Sequence, residues 1–440
     1  MEEREMQSKR EMTRRSFLKR SALGATALSF GLGFSRNALG VNEKIRLGFV
    51  GIANRGGQLM RAALPNKDAE VAALCDVDEP LMLKREKAFR LQVAKFTDFR
   101  QMLEKKDIDA VVIATPDHLH GIQTIAACDA GKDVYVEKPL SITIVEGRKM
   151  VEAVRRSKRV CQVGTQRRSS ELYQRLVEMV RGGTIGKVTV CRAYRLSNMY
   201  PTGIGIAPDS KPPEGLDWDM WLGPRAERPF NENIHPYKFR WWHLYSSQLA
   251  NWGVHYFDAM RWMTGEVAPS SLSAHGGKFA VKDARTVPDT LEVTYEFASG
   301  MLMIFGQYEA SGNPALAYGE TELRGTQGTL YTNERGFRII PERGGQFVES
   351  GPRMEPMEGK SDQGDSTEAH MRNFLDCIKS RGRCNADIEE GHRSTTFSLL
   401  GNIALATRSR IEWDWKRERI TRPEEANEFL HYRYRKPWTL

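Results

Sequence analysis

The chain has 440 residues, of which 28% are charged and 40% hydrophobic. That balance suits a soluble protein of at least two domains and excludes disorder and collagen-like structure. The formal net charge is +9, but residues 1–40 hold eight Lys or Arg against four Glu, so the remainder carries only +5 and a nucleic-acid partner is not expected.

The first forty residues differ from the rest. Thr13-Arg14-Arg15-Ser16-Phe17-Leu18-Lys19 precedes an apolar, small-residue stretch from Ala22 to Phe34, and Ala38-Leu39-Gly40 offers a small-x-small cleavage site. This is the layout of a twin-arginine export signal. The apolar stretch falls short of the roughly 20 residues that span a bilayer. The sequence therefore predicts recognition by the twin-arginine export machinery and a periplasmic or other extracytoplasmic location, with a membrane tether if the signal stays uncleaved. Such substrates fold before export, in a reducing cytosol. The six scattered cysteines, Cys377 and Cys384 included, are thus expected to be free thiols.

From Ile45 the pattern is βα. The run Ile45–Val50 leads into Gly51-Ile52-Ala53-Asn54-Arg55-Gly56-Gly57, and helical spacing follows from Gln58. Strand, glycine turn and helix together form a dinucleotide site: a tight turn, a close backbone approach to pyrophosphate and an open helix N-terminus. Gly51, Ala53, Asn54, Arg55 and Gly56 are the candidate contacts. The next strand, Val71–Cys75, ends at Asp76, 25 positions after Gly51. A carboxylate there accepts from both ribose hydroxyls and repels a 2′-phosphate, which favours NAD over NADP.

Three further apolar strands end in polar residues. Ala110–Ala114 ends in Thr115-Pro116-Asp117-His118-Leu119-His120, Val134–Val136 in Glu137-Lys138-Pro139, and Val160–Val163 in Gly164-Thr165-Gln166-Arg167. Helices are expected over 121–130 and 144–156. In open α/β sheets ligands bind beyond the carboxyl ends of the strands. Thr115, Pro116, His120, Glu137, Lys138 and Gln166 therefore join the cofactor contacts, Arg167 is a candidate for substrate, and Lys138 is the candidate catalytic group. His118 and His120 lack a convincing third ligand, so no metal site is expected.

After Gly182-Gly183 the pattern changes to alternation, with strands expected over 187–194, 290–297, 301–308, 321–324 and 329–332 in a mostly antiparallel sheet. Between the first of these and the rest lies a long aromatic segment, 196–245, whose rings suit sugars; Trp242 is its candidate substrate contact. The helix that follows spaces Asn251, His255 and Asp258 by four and three, near one face. Two further helices are expected over 371–379 and 395–408, and the basic aromatic tail His431–Lys436 is read as solvated or docked.

The glycine turn, the Thr-Pro-x-x-x-His loop ending at His120, Glu137-Lys138-Pro139, Gly164-Thr165-Gln166 and the Gly-x-His helix start resemble the Gfo/Idh/MocA oxidoreductase family, in order from about Lys44 to Gly265. The resemblance implies an α/β protein: an N-terminal Rossmann domain, a doubly wound parallel sheet, and an α+β domain with an open, mostly antiparallel sheet often used for oligomerisation. The corresponding division is a signal at 1–40, an NAD-binding domain at 41–168, a substrate and oligomerisation domain at 169–365, and C-terminal helices packing back on the Rossmann domain at 366–440. A homo-dimer or tetramer is expected.

The resemblance also implies nicotinamide-dependent redox chemistry on sugars or cyclitols, with Lys138 the active-site lysine and His255 the catalytic histidine. The family often has Asp four residues before that histidine, where this chain has Asn251. Asn251 is kept with His255 as a catalytic and substrate-binding candidate, but an amide cannot raise histidine basicity as a carboxylate does. Soluble NAD is scarce outside the cytosol, so export implies a tightly bound cofactor. Two alternatives follow: glycoside hydrolysis or lysis through transient C3 oxidation and elimination, and a non-catalytic carbohydrate-binding protein that retains the fold.

Overall fold

The computed structural model describes residues 44–363 and 365–440. The proposed signal at 1–40 lies outside them. Strand β1 (Ile45–Val50) is apolar apart from Arg46 near its start because it lies mid-sheet between β2 (Ala69–Cys75) and β4 (Ala110–Ile113). With β3 (Ala94–Phe96), β5 (Asp133–Val136) and β6 (Cys161–Val163) these form a six-stranded parallel sheet in the order β3-β2-β1-β4-β5-β6. The order reverses between β1 and β4, and that switch point is where an open sheet binds its ligand.

Both faces of this sheet are covered. One buries Leu47, Phe49, Val112 and Tyr135 against α1 (Asn54–Ala63) and α9 (Thr367–Ser380), the latter through Met371, Phe374 and Leu375. The other buries Val111, Ile113 and Val134 against α4 (His120–Asp129) and α5 (Ile144–Ser157). Remaining helices of this half are α2 (Glu79–Phe89) and α3 (Phe99–Leu103). Thr143 and Glu146 form a capping box that starts α5.

The second sheet has eleven strands: β7 (Val188–Asn198), β8 (Ser271–Gly277), β9 (Thr290–Glu296), β10 (Leu302–Tyr308), β11 (Ala310–Ser311), β12 (Thr321–Gly325), β13 (Gly328–Asn333), β14 (Gly336–Pro341), β15 (Met357–Lys360), β16 (Ile411–Asp414) and β17 (Arg419–Arg422). It is antiparallel except where β7 and β10 run side by side. One face packs against α6 (Glu171–Arg181), α8 (Val254–Thr264) and α10 (Ile388–Thr407) through Leu176, Phe257, Phe397 and Leu400. So α9 is buried against the parallel sheet, whereas α10 gives most of its apolar face to the second sheet.

The sequence pattern passed over β3, whose three residues are largely outside the core, β8, which is rich in Ser, His and Gly, the two-residue β11, and β14 to β17 toward the sheet margins. The basic tail is docked. Tyr434 donates to Glu146 at 2.5 Å, Arg435 donates to the Gly223 carbonyl at 2.9 Å, and Trp438 stacks on Phe99.

Candidate active site

The glycine turn after β1 is fixed by close backbone packing. Gly51 has φ +78°, and a Cβ there would lie 2.7 Å from the Thr115 nitrogen; a Cβ on Gly56 would lie 2.0 Å from the Gly51 carbonyl oxygen. Helix α1 starts at Asn54 without an acidic residue in its first turn and without a side-chain cap among the described residues. Its N–H groups and positive dipole end are left for an anion. Arg85 from α2 donates Nε to the Ile52 carbonyl and Nη2 to that of Ala53, both at 2.9 Å, bracing the turn from behind. Sequence spacing offered no sign of that brace.

Asp76, at the end of β2, accepts from the Ile52 and Asp78 amides at 2.8 and 3.1 Å. Burial pushes its carboxyl up to about 6. It shares a cavity with Gly51, Ala53, Thr115 and Pro116. A cradle that a Cβ would fill, an open helix end and a lone carboxylate on the next strand together fit a dinucleotide.

The aromatic segment closes this end of the cleft. Gly215 accepts from the Glu79 amide and Asp217 donates to the Val77 carbonyl, both at 2.9 Å, pinning the segment beside Asp76. Helix α7 (Trp218–Leu222) follows, and Met220, Trp221, His235 and Pro236 line the same cavity as the glycine turn. Trp218 stacks on Trp221 with ring centroids 4.6 Å apart, and Phe230 and Phe239 complete a buried cluster. Most of these rings therefore build a cap over the nucleotide end, and self-packing of large apolar rings is the reason. His118 is its anchor: Nε2 donates to the Trp221 carbonyl at 2.8 Å, and desolvation holds the ring neutral, down to about 3.

Lys138, beyond β5, projects to the other end of the cleft. Its Nζ donates to the backbone oxygen and to Oδ1 of Asn251, both at 2.9 Å. Burial disfavours its ammonium and brings it down to about 8, the range of a lysine that exchanges a proton near neutrality. Asn251 lies in a single π-helical turn, Leu249–Gly253, that leads into α8, a distortion that frequently marks functional sites. His255, one turn on, is buried. Desolvation, then the charges of Lys138, Arg167 and Arg55, push it well below its ordinary value, and its Nδ1 has no partner among the described residues. It is a neutral imidazole.

Three placements correct the sequence reading. Asp258 does not join His255: it pairs with Arg168 at 2.9 Å and accepts from Ser394 at 2.7 Å. Trp242 is turned to the cap, its indole donating to the Asn233 carbonyl at 2.6 Å, whereas its neighbour Trp241 reaches toward the Asn251 side through Glu309. His120 has one ring nitrogen on the Pro139 carbonyl and the other on that of Thr115, at 2.8 and 2.9 Å. Both nitrogens are occupied, so it braces two strand-end loops instead of meeting the cofactor.

The other candidates surround the cleft. Arg55 and Glu137 form an ion pair at 2.8 Å across the α1 and β5 ends. Arg167 pairs with Glu320 and Glu334 and lies over the Tyr256 ring, with Nη1 buried and unpartnered among the described residues, as is Gln166 Oε1. Thr115 donates to Gln123 at 2.7 Å. Among the described residues no group of three or more His, Cys, Asp or Glu is placed to hold a metal ion. All six cysteines are buried free thiols.

A nicotinamide-type Rossmann cleft joined to a sheet domain defines a class of oxidoreductase, and comparison with known proteins gives the family. The model for the NAD-binding Rossmann fold of the oxidoreductase family matches residues 45–165, and the model for that family's C-terminal alpha/beta domain matches 174–440. The chain belongs to the Gfo/Idh/MocA oxidoreductase family. It is similar to the inositol 2-dehydrogenase of Salmonella paratyphi B, 29% identical over 145 residues, 32% of this chain and 43% of that protein. The match thus spans less than half of that relative. The rhizopine catabolism protein MocA of Rhizobium meliloti is 26% identical over 259 residues, 58% of this chain and 69% of that protein. The aldose-aldose oxidoreductase from Caulobacter crescentus, solved with glycerol, shares the fold at a TM-score of 0.61 and 18% identity, over 84% of this chain and 100% of that one.

Proposed function

We propose that the protein oxidises a secondary hydroxyl of a sugar, sugar derivative or cyclitol, with NAD held at the glycine turn. The observation that carries this reading is Lys138, buried at a strand end, held by two Asn251 oxygens and brought down to about 8 beside a neutral His255. Gly51, Gly56 and the start of α1 would hold the pyrophosphate and Asp76 the adenosine ribose of NAD, which would supply the hydride acceptor for the carbinol carbon. Lys138 in its neutral form takes the hydroxyl proton, and its ammonium stabilises the oxyanion in the reverse direction. His255, neutral and with a free Nδ1, orients the reacting oxygen by hydrogen bonding; its low basicity leaves proton removal to Lys138.

The cap of Trp218, Trp221 and Pro236 over the adenosine end supports slow cofactor exchange, and hence a permanently bound NAD(H) recycled by a second sugar. Export through the twin-arginine pathway to the periplasm supports the same need; replacing Arg14 and Arg15 with lysines should retain the protein in the cytoplasm. The exposed sheet face, with Leu302 and Ile340 more than one-third exposed, suits a homo-dimer or tetramer.

The decisive variant is Lys138→Met. It should leave NAD binding within about twofold and lower turnover by about 10²–10⁴-fold. Unchanged turnover would end this reading. In deuterated water, label appearing at C2 of a cleaved glycoside would establish elimination instead of net oxidation.

A further inference from the structure

Beyond Asn251 the hydrogen bonds continue into the second domain. Asn251 Nδ2 donates to Gln248 Oε1 at 3.1 Å, and Gln248 Nε2 donates to Glu309 Oε1 at 2.9 Å. Glu309 follows β10 and is 3% exposed. Its carboxylate also accepts from Trp241 Nε1 at 3.1 Å and from Arg285 Nη1, and Arg285 is in turn clamped by Asp283 at 2.9 Å. Its backbone is fixed as well, the amide donating to the Asp289 carbonyl and the carbonyl accepting from Met199, both at 2.7 Å.

The direction of this chain follows from its far end. A carboxylate only accepts, so Gln248 must turn its NH₂ toward Glu309 and its oxygen toward Asn251. Asn251 must then turn its NH₂ toward Gln248 and its oxygen toward Lys138. An amide alone has no such preference, because either orientation can satisfy two polar neighbours. Burial raises the Glu309 carboxyl above its ordinary value and the ion pair with Arg285 opposes that rise; in its charged form the carboxylate sets the polarity of the chain.

We propose that Glu309 is a positioning residue for the reaction: through Gln248 it orients Asn251 so that Lys138 meets two acceptors and aims its remaining valence at substrate. The carboxylate that position 251 lacks is supplied two amides away. This inference rests on Lys138 being the reacting base, and it adds a residue that no local motif marks. Without the relay, Asn251 can present its NH₂ to Lys138, which disfavours the ammonium. The charged and titratable groups facing Lys138, namely Glu137, Asp117, Arg240, Arg55 and His255, remain the same in every variant below.

The test uses Glu309→Gln, which keeps shape and removes the acceptor-only end, and Gln248→Met, which interrupts the relay while sparing the Arg285 pair. The Lys138 midpoint is read without substrate, from the pH dependence of acetic anhydride labelling of the Lys138 peptide by mass spectrometry. Wild type should titrate near 8. Both variants should titrate about one pH unit lower, which carries the low-pH limb of the rate profile down with it, while turnover on a cyclitol measured above both midpoints falls about tenfold because Lys138 is no longer aimed, and NAD affinity is unchanged. If Glu309→Gln does not fold, Gln248→Met carries the test alone. Unmoved midpoints would overturn the relay, even if turnover fell, since packing damage would explain that fall. A shifted midpoint in a protein that oxidises no sugar or cyclitol would sustain the relay and remove the proposed reaction.

Discussion

The two ends of the cleft are built from different materials. At the nucleotide end the decisive contacts are backbone: a positive φ at Gly51, a Gly56 position with no room for a methyl group, and a start of α1 that no side chain caps among the described residues. At the catalytic end they are side chains from distant parts of the chain, Lys138 meeting Asn251 across 113 positions and Asn251 depending on Glu309 beyond it. A backbone demand fixes residue type locally. A side-chain constellation is fixed by the fold, so it tolerates exchange of one member for another, as Asn251 with Glu309 illustrates.

The largest effect expected from separating the two ends is on stability. Asp258 and Arg168 are both buried, and Asp258→Asn leaves Glu390, at 3.4 Å, as the guanidinium's remaining carboxylate partner among the described residues. Removing one partner of a buried pair costs about 3–5 kcal/mol. Urea unfolding should show that loss, while NAD titration of the folded fraction should match wild type. A matching loss of NAD affinity would mean that the two ends are not independent. Next in size is Gly56→Val, which should weaken NAD binding about 100-fold by displacing the turn, with a smaller change in unfolding free energy. Isothermal titration reads it directly.

The two ends should also titrate apart. Burial disfavours the Lys138 ammonium, so the neutral base is gained as pH rises through about 8, and oxidation should slow about tenfold per unit below that value. Burial disfavours the Asp76 carboxylate, so its charge is present above about 6 and lost below, and NAD affinity should fall as pH drops through that value. Rate and affinity measured across pH 5 to 9 should therefore show separate midpoints. A shared midpoint would merge the two ends into one coupled site.

The same difference decides what the sequence alone discloses. The glycine turn, Asp76 and the polar strand ends stand in register with apolar runs, because a strand buried on both faces writes its boundaries into composition. Lys138 was visible for that reason. Asn251 and His255 carried helical spacing, but the π-helical turn shifts Asn251 off the regular i, i+4 register, and Asp258 finds Arg168 instead. Glu309 looks like any acid after a strand, and Trp241 and Trp242 differ by one position in an irregular segment. No period separates them; only the fold does.

The smallest prediction concerns the cap, the one place where both kinds of construction meet. Segment 215–236 covers a backbone-built site, yet it is held by side chains: His118 on the Trp221 carbonyl, and Arg435 of the tail on the carbonyls of Gly223 and Asp219 at 2.9 and 3.2 Å. Arg435 also pairs with the Asp219 carboxylate at 2.5 Å, and Trp438 beyond it stacks on Phe99, which lines the nucleotide cavity. Arg435→Ala removes that strap without touching the turn, Asp76 or Lys138. Five side-chain hydrogen bonds, to Gly223, Asp219 and Glu227, are lost; each is worth about 1 kcal/mol or less and only part of that holds the cap closed, so NAD release should quicken a few-fold while turnover by the loaded enzyme is unchanged. Stopped-flow displacement of NADH reads the release rate. If release is unchanged, the tail does not hold the cap, and retention of the cofactor rests on the aromatic packing of Trp218 and Trp221 with the His118 anchor.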